Sequence, residues 1–129
     1  MRVLLDTHVF LWLATDPDRL SVTLTTVLQQ VETERCLSVL SGWELAIKIQ
    51  KRKLHVSPDL LSFLKKEVEK QRLRVLPVSI PHLEHYAELP LHHADPFDRM
   101  LIAQAIAEDL TLVTSDREIS KYRVKTILV

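Results

Sequence analysis

Four acidic side chains occupy positions from which carboxylates could bind a divalent cation. Asp6 and Asp116 each follow a segment predicted to be a strand. Glu44 lies in the first turn of the helix predicted after the second strand, and Asp98 lies in the first turn of the helix that precedes the strand before Asp116. Because ligands of open parallel sheets bind beyond the carboxyl ends of the strands, we expect the four acids at one edge of the sheet.

A shared position for these acids needs a physical reason, because like charges repel. Two carboxylates within about 5 Å of one another repel by roughly 3 kcal/mol at a surface-like dielectric. A divalent cation removes that repulsion, and a carboxylate cluster without cysteine or a fixed imidazole favours hard ions. The ligand type therefore predicts Mg²⁺ or Mn²⁺ as the cofactor.

Each acid also has a purely structural interpretation. Asp6 is a suitable N-cap for the helix predicted from residue 7, and Asp116 belongs to a plausible cap of its own. Ser41 and Glu44 are spaced as a capping box, and Glu44 is also spaced to pair with Lys48 one helical turn later. No single acid distinguishes a structural role from a catalytic one, but the predicted convergence of all four favours a catalytic role.

Residues 95–99, at the start of a predicted helix, contain two acids that could each have a structural or a functional role. Asp95 is placed as an N-cap, Pro96 as the first helical residue and Asp98 as the acidic third residue. Asp95 and Arg99 are also spaced as an exposed ion pair. An apolar stripe at helical spacing begins at Asp98, which is therefore expected to face inward. We assign function to Asp98 and structure to Asp95.

Alternating strands and helices are expected to position these residues. Strands are predicted at residues 2–5, 37–40, 74–78, 112–114 and 126–129, and helices at residues 7–14, 21–34, 41–53, 58–71, 81–89 and 95–108. Parallel neighbours need a helical return, so this alternation indicates crossover units. The predicted fold class is α/β, a three-layer α/β/α arrangement around a central, mainly parallel sheet, with residues 1–129 forming one domain.

Composition and charge exclude several other classes of protein. Gly42 is the only glycine, so neither a dinucleotide-binding fingerprint nor a phosphate-binding loop can form. Cys36 has no cysteine partner, which excludes an internal disulfide and favours a reducing, cytoplasmic location. No segment approaches the roughly 20 apolar residues of a membrane span, so we expect a soluble protein. The 17 basic residues balance the 17 acidic ones, so any contact with nucleic acid must be local.

Three other interpretations remain open. The histidines suggest a zinc site, with His82 and His85 three residues apart on a predicted helix and two more at 92–93, although no cysteine pair or metalloprotease signature accompanies them. Asp6 could be the covalent nucleophile of a phosphatase, but His8 stands where a second aspartate is usual. A non-catalytic module could bind RNA or a partner protein with the same fold.

Four segments carry a resemblance to a known family. They are LLDTH at residues 4–8, SGWELAIK at 41–48, DPFDRMLIAQA at 95–105 and TSD at 114–116. In order and spacing they resemble the PIN domain family, and within it the VapC-like toxins of bacterial and archaeal toxin–antitoxin systems. The resemblance extends over almost the whole chain, and its third segment is the most specific.

This resemblance implies a metal-dependent endoribonuclease whose acidic quartet is Asp6, Glu44, Asp98 and Asp116. It places Thr7 and Ser115 beside that quartet as hydroxyl partners of the acids or their waters. Asp95 and Arg99, which lie near Asp98 in the sequence, are predicted as further supporting residues. One or two metal ions would be held, with Asp6 and Asp98 as direct ligands, and water would be the nucleophile. The basic residues late in the Glu44 helix are interpreted as a solvated helix face, and phosphate contact by them or by Arg99 is a secondary hypothesis: Lys48, Lys51, Arg52 and Lys53.

The resemblance also implies a biological setting. It implies a toxin that cuts RNA, a cognate antitoxin protein that blocks the site, and commonly a homodimer. Trp12, Trp43 and Phe97 have apolar neighbours, and we expect them in the core or at a dimer interface.

Overall fold

The computed structural model describes residues 1–129 and contains a parallel sheet with helices on both faces. The strands are β1 (Arg2–Leu5), β2 (Glu34–Ser38), β3 (Leu73–Leu76), β4 (Thr111–Thr114) and β5 (Thr126–Leu128). The helices are α1 (Thr7–Thr15), α2 (Val22–Gln29), α3 (Val39–Gln50), α4 (Leu60–Lys70), α5 (Ile80–Glu88) and α6 (Pro96–Glu108). Two short 3₁₀ helices lie at Pro17–Arg19 and Arg117–Lys121.

The central strand β1 is buried on both of its faces. Val3 and Leu5 point into one apolar cluster, whereas Leu4 points into the other. Phe10 brings α1 onto the first cluster, and Ile102 brings α6 onto the second. A parallel sheet is stable in water only when helices cover both faces, as they do here. The predicted three-layer α/β/α class is confirmed.

The order of the strands is β3-β2-β1-β4-β5, and every neighbouring pair is parallel. The chain builds one half of the sheet outward from β1 through β2 to β3, then crosses over to add β4 and β5 on the other side. The direction of winding therefore reverses between β1 and β4. A crevice forms beyond the carboxyl ends of strands at such a point, and this is where open α/β sheets bind their ligands.

The predicted helix over residues 21–34 is too long. Helix α2 ends at Gln29, and the chain from Glu34 onward becomes strand β2. Glu34 pairs with Arg2 in the register between β1 and β2, and its backbone N–H donates to the carbonyl of Met1 at 2.9 Å. Pairing with the central strand outweighs the local helical preference of this segment.

An apolar groove lies on the surface between α3 and α6. Trp43 is 60% exposed, and its ring and that of Phe97 pack edge to face at 5.2 Å between centroids. The groove has a volume of about 340 Å³ and is lined by Leu40, Trp43, Ile47, Tyr86, Pro96, Phe97 and Met100. Trp43 is therefore a surface residue, so the core alternative is wrong for this side chain.

None of the helices has the length and apolarity needed to traverse a lipid bilayer.

Candidate metal centre

Asp6 joins the ends of β1 and β4. Its Oδ1 accepts a hydrogen bond from the backbone N–H of Val9 at 2.9 Å, which caps α1. Its Oδ2 accepts a hydrogen bond from the hydroxyl of Thr114, the last residue of β4. Asp6 is only 4% exposed. The capping interpretation of Asp6 is thus correct, and the same carboxylate also lies at the reversal point of the sheet.

Thr114 links Asp6 to Asp116. Its hydroxyl oxygen accepts from the backbone N–H of Asp116 at 3.1 Å while its proton is donated to Asp6. Asp116 in turn caps the second 3₁₀ helix, because its Oδ1 accepts from the N–H of Glu118 at 2.9 Å. Ser115 is exposed, and its hydroxyl forms no hydrogen bond to an acid. The hydroxyl between the acids therefore comes from Thr114 and not from Ser115.

Glu44 is positioned by two helices. Helix α3 begins earlier than predicted, with Ser38 as its N-cap, so Glu44 lies in the second turn and the proposed capping box with Ser41 is wrong. Ser41 is fully buried, and its Oγ lies 2.9 Å from the Oγ1 of Thr7. The Thr7 hydroxyl donates to Glu44 Oε1 at 2.8 Å, as expected for a hydroxyl partner of an acid. The predicted pair of Glu44 and Lys48 is present at 3.5 Å.

Asp98 has the most perturbed carboxyl group of the site. It lies in the first turn of α6, where Asp95 is the N-cap, and its side chain is 22% exposed. Burial and the charge of Asp95 raise its pKa to about 7, with additions from Asp6 and Glu44, although His93 acts in the opposite direction. The inward orientation expected for Asp98 is correct. Its raised pKa shows that burial and the neighbouring acids both disfavour the charged form of this carboxyl group.

Arg99 does not form the predicted ion pair with Asp95. It is 6% exposed, and its Nη1 donates to the carbonyl of Pro90 at 3.0 Å. Its guanidinium lies over the ring of Tyr86, with the central carbon 4.9 Å from the ring centroid. Arg99 therefore packs toward α5 and holds the loop before α6, away from the exposed position that phosphate contact requires.

His93 is the site residue that the sequence did not reveal. Its Nε2 lies 2.7 Å from Asp116 Oδ2 and 3.3 Å from Asp98 Oδ2. Burial opposes charge on both His93 and Asp116, but their mutual hydrogen bond, further hydrogen bonding and neighbouring charges together outweigh it, so the pKa of His93 is raised and that of Asp116 is lowered. The expectation of a site without a fixed imidazole is wrong. The signal available was a histidine two residues before the capping Asp95.

Some of the candidate site residues form a close group, whereas others are connected to that group indirectly. The ligand atoms of His93, Asp98 and Asp116 all lie within 4.8 Å of one another. Asp6 is connected to this group through Thr114, and Glu44 contributes through its charge on Asp98. These neighbouring, partly buried carboxylates form a donor set that fits a hard divalent cation, and Lys48, which pairs with Glu44, is the lysine beside them.

The histidines of the zinc hypothesis do not assemble into a site. His82 is buried, its Nδ1 accepts from the N–H of Ser79 at 2.9 Å, and its Nε2 lies 2.9 Å from Glu108 Oε1. Both ring nitrogens therefore have partners within the protein, one of them as part of the cap of α5. The only histidine in a group with metal-binding spacing is His93.

Fold and site together define a class of protein: an α/β domain with an acidic cleft at the reversal point of a parallel sheet. The chain belongs to the PIN domain family, whose profile matches residues 3–125. Ribonuclease VapC22 of Mycobacterium tuberculosis is 30% identical over 122 residues, which cover 94% of this chain and 92% of that protein.

Solved structures share the fold. A structure of VapBC2 from Rickettsia felis bound to a promoter DNA fragment includes a chain that matches with a TM-score of 0.79 at 20% identity, covering 100% of this chain and 99% of that one. A chain of DNA-bound VapBC from Salmonella typhimurium matches with a TM-score of 0.73 at 17% identity, covering 98% and 97% respectively. At identities of 20% and 17%, these matches show a shared fold and no more.

Proposed function

We propose that this protein is a metal-dependent endoribonuclease that hydrolyses RNA phosphodiester bonds and acts as the toxin of a toxin–antitoxin pair. The observation that carries the proposal is the convergence of carboxylates at the reversal point of the sheet, where burial together with the charges of Asp95, Asp6 and Glu44 raises the pKa of Asp98 to about 7. The likeness to a ribonuclease of the same family over most of both chains supports it. We take residues 1–129 as one catalytic domain that works in the cytoplasm.

The proposed cofactor is Mg²⁺ or Mn²⁺. Oxygen donors dominate the cleft, and the one free cysteine, Cys36, is buried. When bound, such an ion acidifies water and stabilises negative charge on the oxygens of a phosphodiester. Water would be the nucleophile, which leaves 5′-phosphate and 3′-hydroxyl ends.

The chain's own groups would present their oxygens to that ion. Asp98 and Asp6 are the proposed direct ligands, and Glu44 and Asp116 the further acids. Thr7 holds Glu44 Oε1 by its hydroxyl, so this carboxylate has one preferred orientation. Thr114 holds Asp6 in the same way. These hydroxyls position the acids before substrate arrives, which reduces the reorganisation needed during catalysis.

The proposed partners are an RNA substrate and a cognate antitoxin protein. The solved structure of VapBC-5 from Mycobacterium tuberculosis is described as a member of the VapBC family of toxin–antitoxin systems, and the VapBC2 and VapBC structures are bound to DNA. An antitoxin that covers the acidic cleft would explain how a cell tolerates this nuclease. Co-expression with the protein encoded by the adjacent reading frame should therefore yield a complex that does not cleave RNA.

The first test is cleavage of an RNA panel by variants of the site. Asp6→Asn and Asp98→Asn should each lower the cleavage rate by about 100-fold or more, because each removes a charge aimed at the reacting centre. Cleavage by the wild-type chain should stop with EDTA and return with Mg²⁺ or Mn²⁺. Asp18→Asn, at an exposed residue outside the cleft, is the matched control and should cleave normally.

Two results would contradict the proposal. One is a folded Asp98→Asn variant that cleaves RNA at the wild-type rate. The other is a wild-type chain that binds RNA with either metal present but never cuts it, which would indicate a non-catalytic binding module.

A further inference from the structure

The loop between α5 and α6 holds His93 in a defined position. The backbone N–H groups of His92 and His93 both donate to the hydroxyl of Tyr122, at 3.1 and 2.8 Å. Tyr122 is buried, and the ring of His92 packs edge-on against its ring at 5.2 Å between centroids. Arg99 fixes the start of the same loop through the carbonyl of Pro90. The imidazole of His93 is therefore placed by the fold and not by the acids alone.

The hydrogen bonds of the His93 ring assign its two nitrogens. Nδ1 lies 3.0 Å from the backbone nitrogen of Asp95 and accepts its N–H. A backbone N–H can only donate, so the neutral ring carries its proton on Nε2. That Nε2–H faces Asp116 Oδ2 at 2.7 Å and Asp98 Oδ2 at 3.3 Å. One donor thus bridges two acids that come from different parts of the chain.

We propose that His93 is a positioning residue of the metal centre, which holds Asp98 and Asp116 by donating its Nε2–H, and that it is not itself a metal ligand. Ligation through Nε2 would require the proton to move to Nδ1. Nδ1 would then point its N–H at the N–H of Asp95, and two donors would face one another. The Oδ1 of Asp98 accepts no hydrogen bond from the protein, so an oxygen of that acid stays available to a cation while His93 keeps its contact.

This role has a consequence for the choice of metal. If Nε2 remains a donor, the centre offers oxygen ligands only, which suits Mg²⁺ and Mn²⁺ better than ions that prefer imidazole. Hydrogen-bonded groups around ligating carboxylates orient them, and losing such a group typically lowers metal affinity by about 10- to 100-fold.

The first experiment measures the position of the ring proton directly. In the full chain labelled with ¹⁵N-histidine, proton–nitrogen correlation spectra at about pH 8 should show His93 protonated at Nε2 both without metal and with saturating Mg²⁺. Loss of the Nε2 proton on addition of Mg²⁺, with the proton transferred to Nδ1, would overturn the proposal. This measurement does not depend on RNA cleavage.

The second experiment separates a donor from a ligand by substitution. His93→Ala should lower the Mg²⁺ affinity measured by calorimetry by about 10-fold. His93→Gln should restore most of it, because the glutamine amide can donate from nearly the same place as Nε2. His55→Gln, at an exposed histidine that makes no hydrogen bond, is the matched control and should bind like the wild type. A His93→Gln variant no better than His93→Ala contradicts the donor role.

The inference rests on the proposed function, since it assumes that the acids bind a divalent cation. A wild-type chain that binds neither Mg²⁺ nor Mn²⁺ would overturn both. A wild-type chain that binds Mg²⁺ and cleaves RNA, but whose His93 ligates the ion, would overturn only the role given to His93.

Discussion

Asp98 is the acid through which pH should act on this site. Burial and the charge of Asp95, followed by the charges of Asp6 and Glu44, raise its pKa to about 7. Near neutral pH, therefore, about half of the metal-free molecules keep a proton on this carboxyl group. A cation must displace that proton to bind, so metal binding and proton release are coupled.

We expect the affinity for Mg²⁺ to rise between about pH 6 and about pH 8. Below the pKa of Asp98, each unit of pH changes the affinity by up to about tenfold, and above it the affinity levels off. Calorimetry in two buffers with different ionisation enthalpies measures both the affinity and the proton released. In Asp98→Asn the remaining affinity should vary less with pH, and an equally steep profile in that variant would contradict the assignment.

The contribution of Asp98 to the stability of the metal-free protein should fall as pH rises, whereas the affinity for Mg²⁺ should rise. The carboxyl group of Asp98 has an ordinary pKa of 3.8 and a folded value of about 7. Between these values the folded state binds more protons than the unfolded state, so the contribution of this group to the free energy of unfolding falls as pH rises. Bound metal offsets that loss, because it binds only the folded state.

The sequence predicts the acids of the site better than their partners. Asp6, Asp98 and Asp116 stand at strand ends or a helix start, which apolar periodicity locates. His93 reaches the acids only because its loop is bound to a tyrosine hydroxyl 29 positions later in the chain. Thr114 and the exposed Ser115 both carry hydroxyls, and the sequence alone does not tell which of the two faces Asp6. Such contacts depend on tertiary packing that no local pattern encodes.

At the scale of elements, the start of α3 determines where Glu44 lies. Ser38 ends β2, and its Oγ accepts from the N–H of Leu40 at 3.1 Å, so the helix starts without an intervening loop. Glu44 is consequently carried one turn further into the helix than the capping-box pattern suggested. There its carboxylate reaches the Thr7 hydroxyl.

Removing this cap should destabilise the protein measurably. Ser38→Ala should lower the free energy of unfolding by about 1 kcal/mol, since an N-cap hydroxyl satisfies a helix N–H that otherwise has no partner. Urea unfolding followed by circular dichroism measures the change. Ser115→Ala, at an exposed serine without a hydrogen bond, should leave stability within error. Equal stability of both variants would mean that Ser38 is not the cap.

Most elements are predictable from the chain, and the exceptions have physical reasons. The α6 segment is marked by Asp95 and Pro96 at its start and by a buried apolar stripe, and its predicted end at residue 108 is correct. Residues 30–34 are wrongly predicted as helix, because the strand that starts at Glu34 is specified by pairing with β1 and β3. The local sequence pattern favours a helix there, but pairing with the neighbouring strands makes the segment from Glu34 a strand.

For the molecule as a whole, the apolar groove between α3 and α6 is the surface that most needs a partner. It contains the exposed Trp43 and the ring of Phe97, and its lining is almost entirely apolar. Apolar patches of this kind on a small domain mark interaction sites. The family resemblance implies a homodimer, and we propose that a second copy of the chain occupies this groove.

We expect Trp43→Glu to convert a dimer into a monomer in sedimentation velocity experiments. The substitution places a charge in the centre of the groove, and an unpaired buried charge opposes association. Val31→Glu changes a single valine that is 89% exposed outside the groove, and that variant should remain dimeric. A dimeric Trp43→Glu variant, or one that is changed only in its binding to the antitoxin, would assign the groove to another partner.

The hydrogen bond between Thr114 and Asp6 spans 108 positions of the chain. A ribosome makes the central strand first and the strand that completes the cleft near the end. Until residue 116 has emerged from the exit tunnel, the nascent polypeptide lacks both the bridging hydroxyl and one of its acids. Fragments that end before residue 114 should therefore not cleave RNA, because they lack the groups that complete the site.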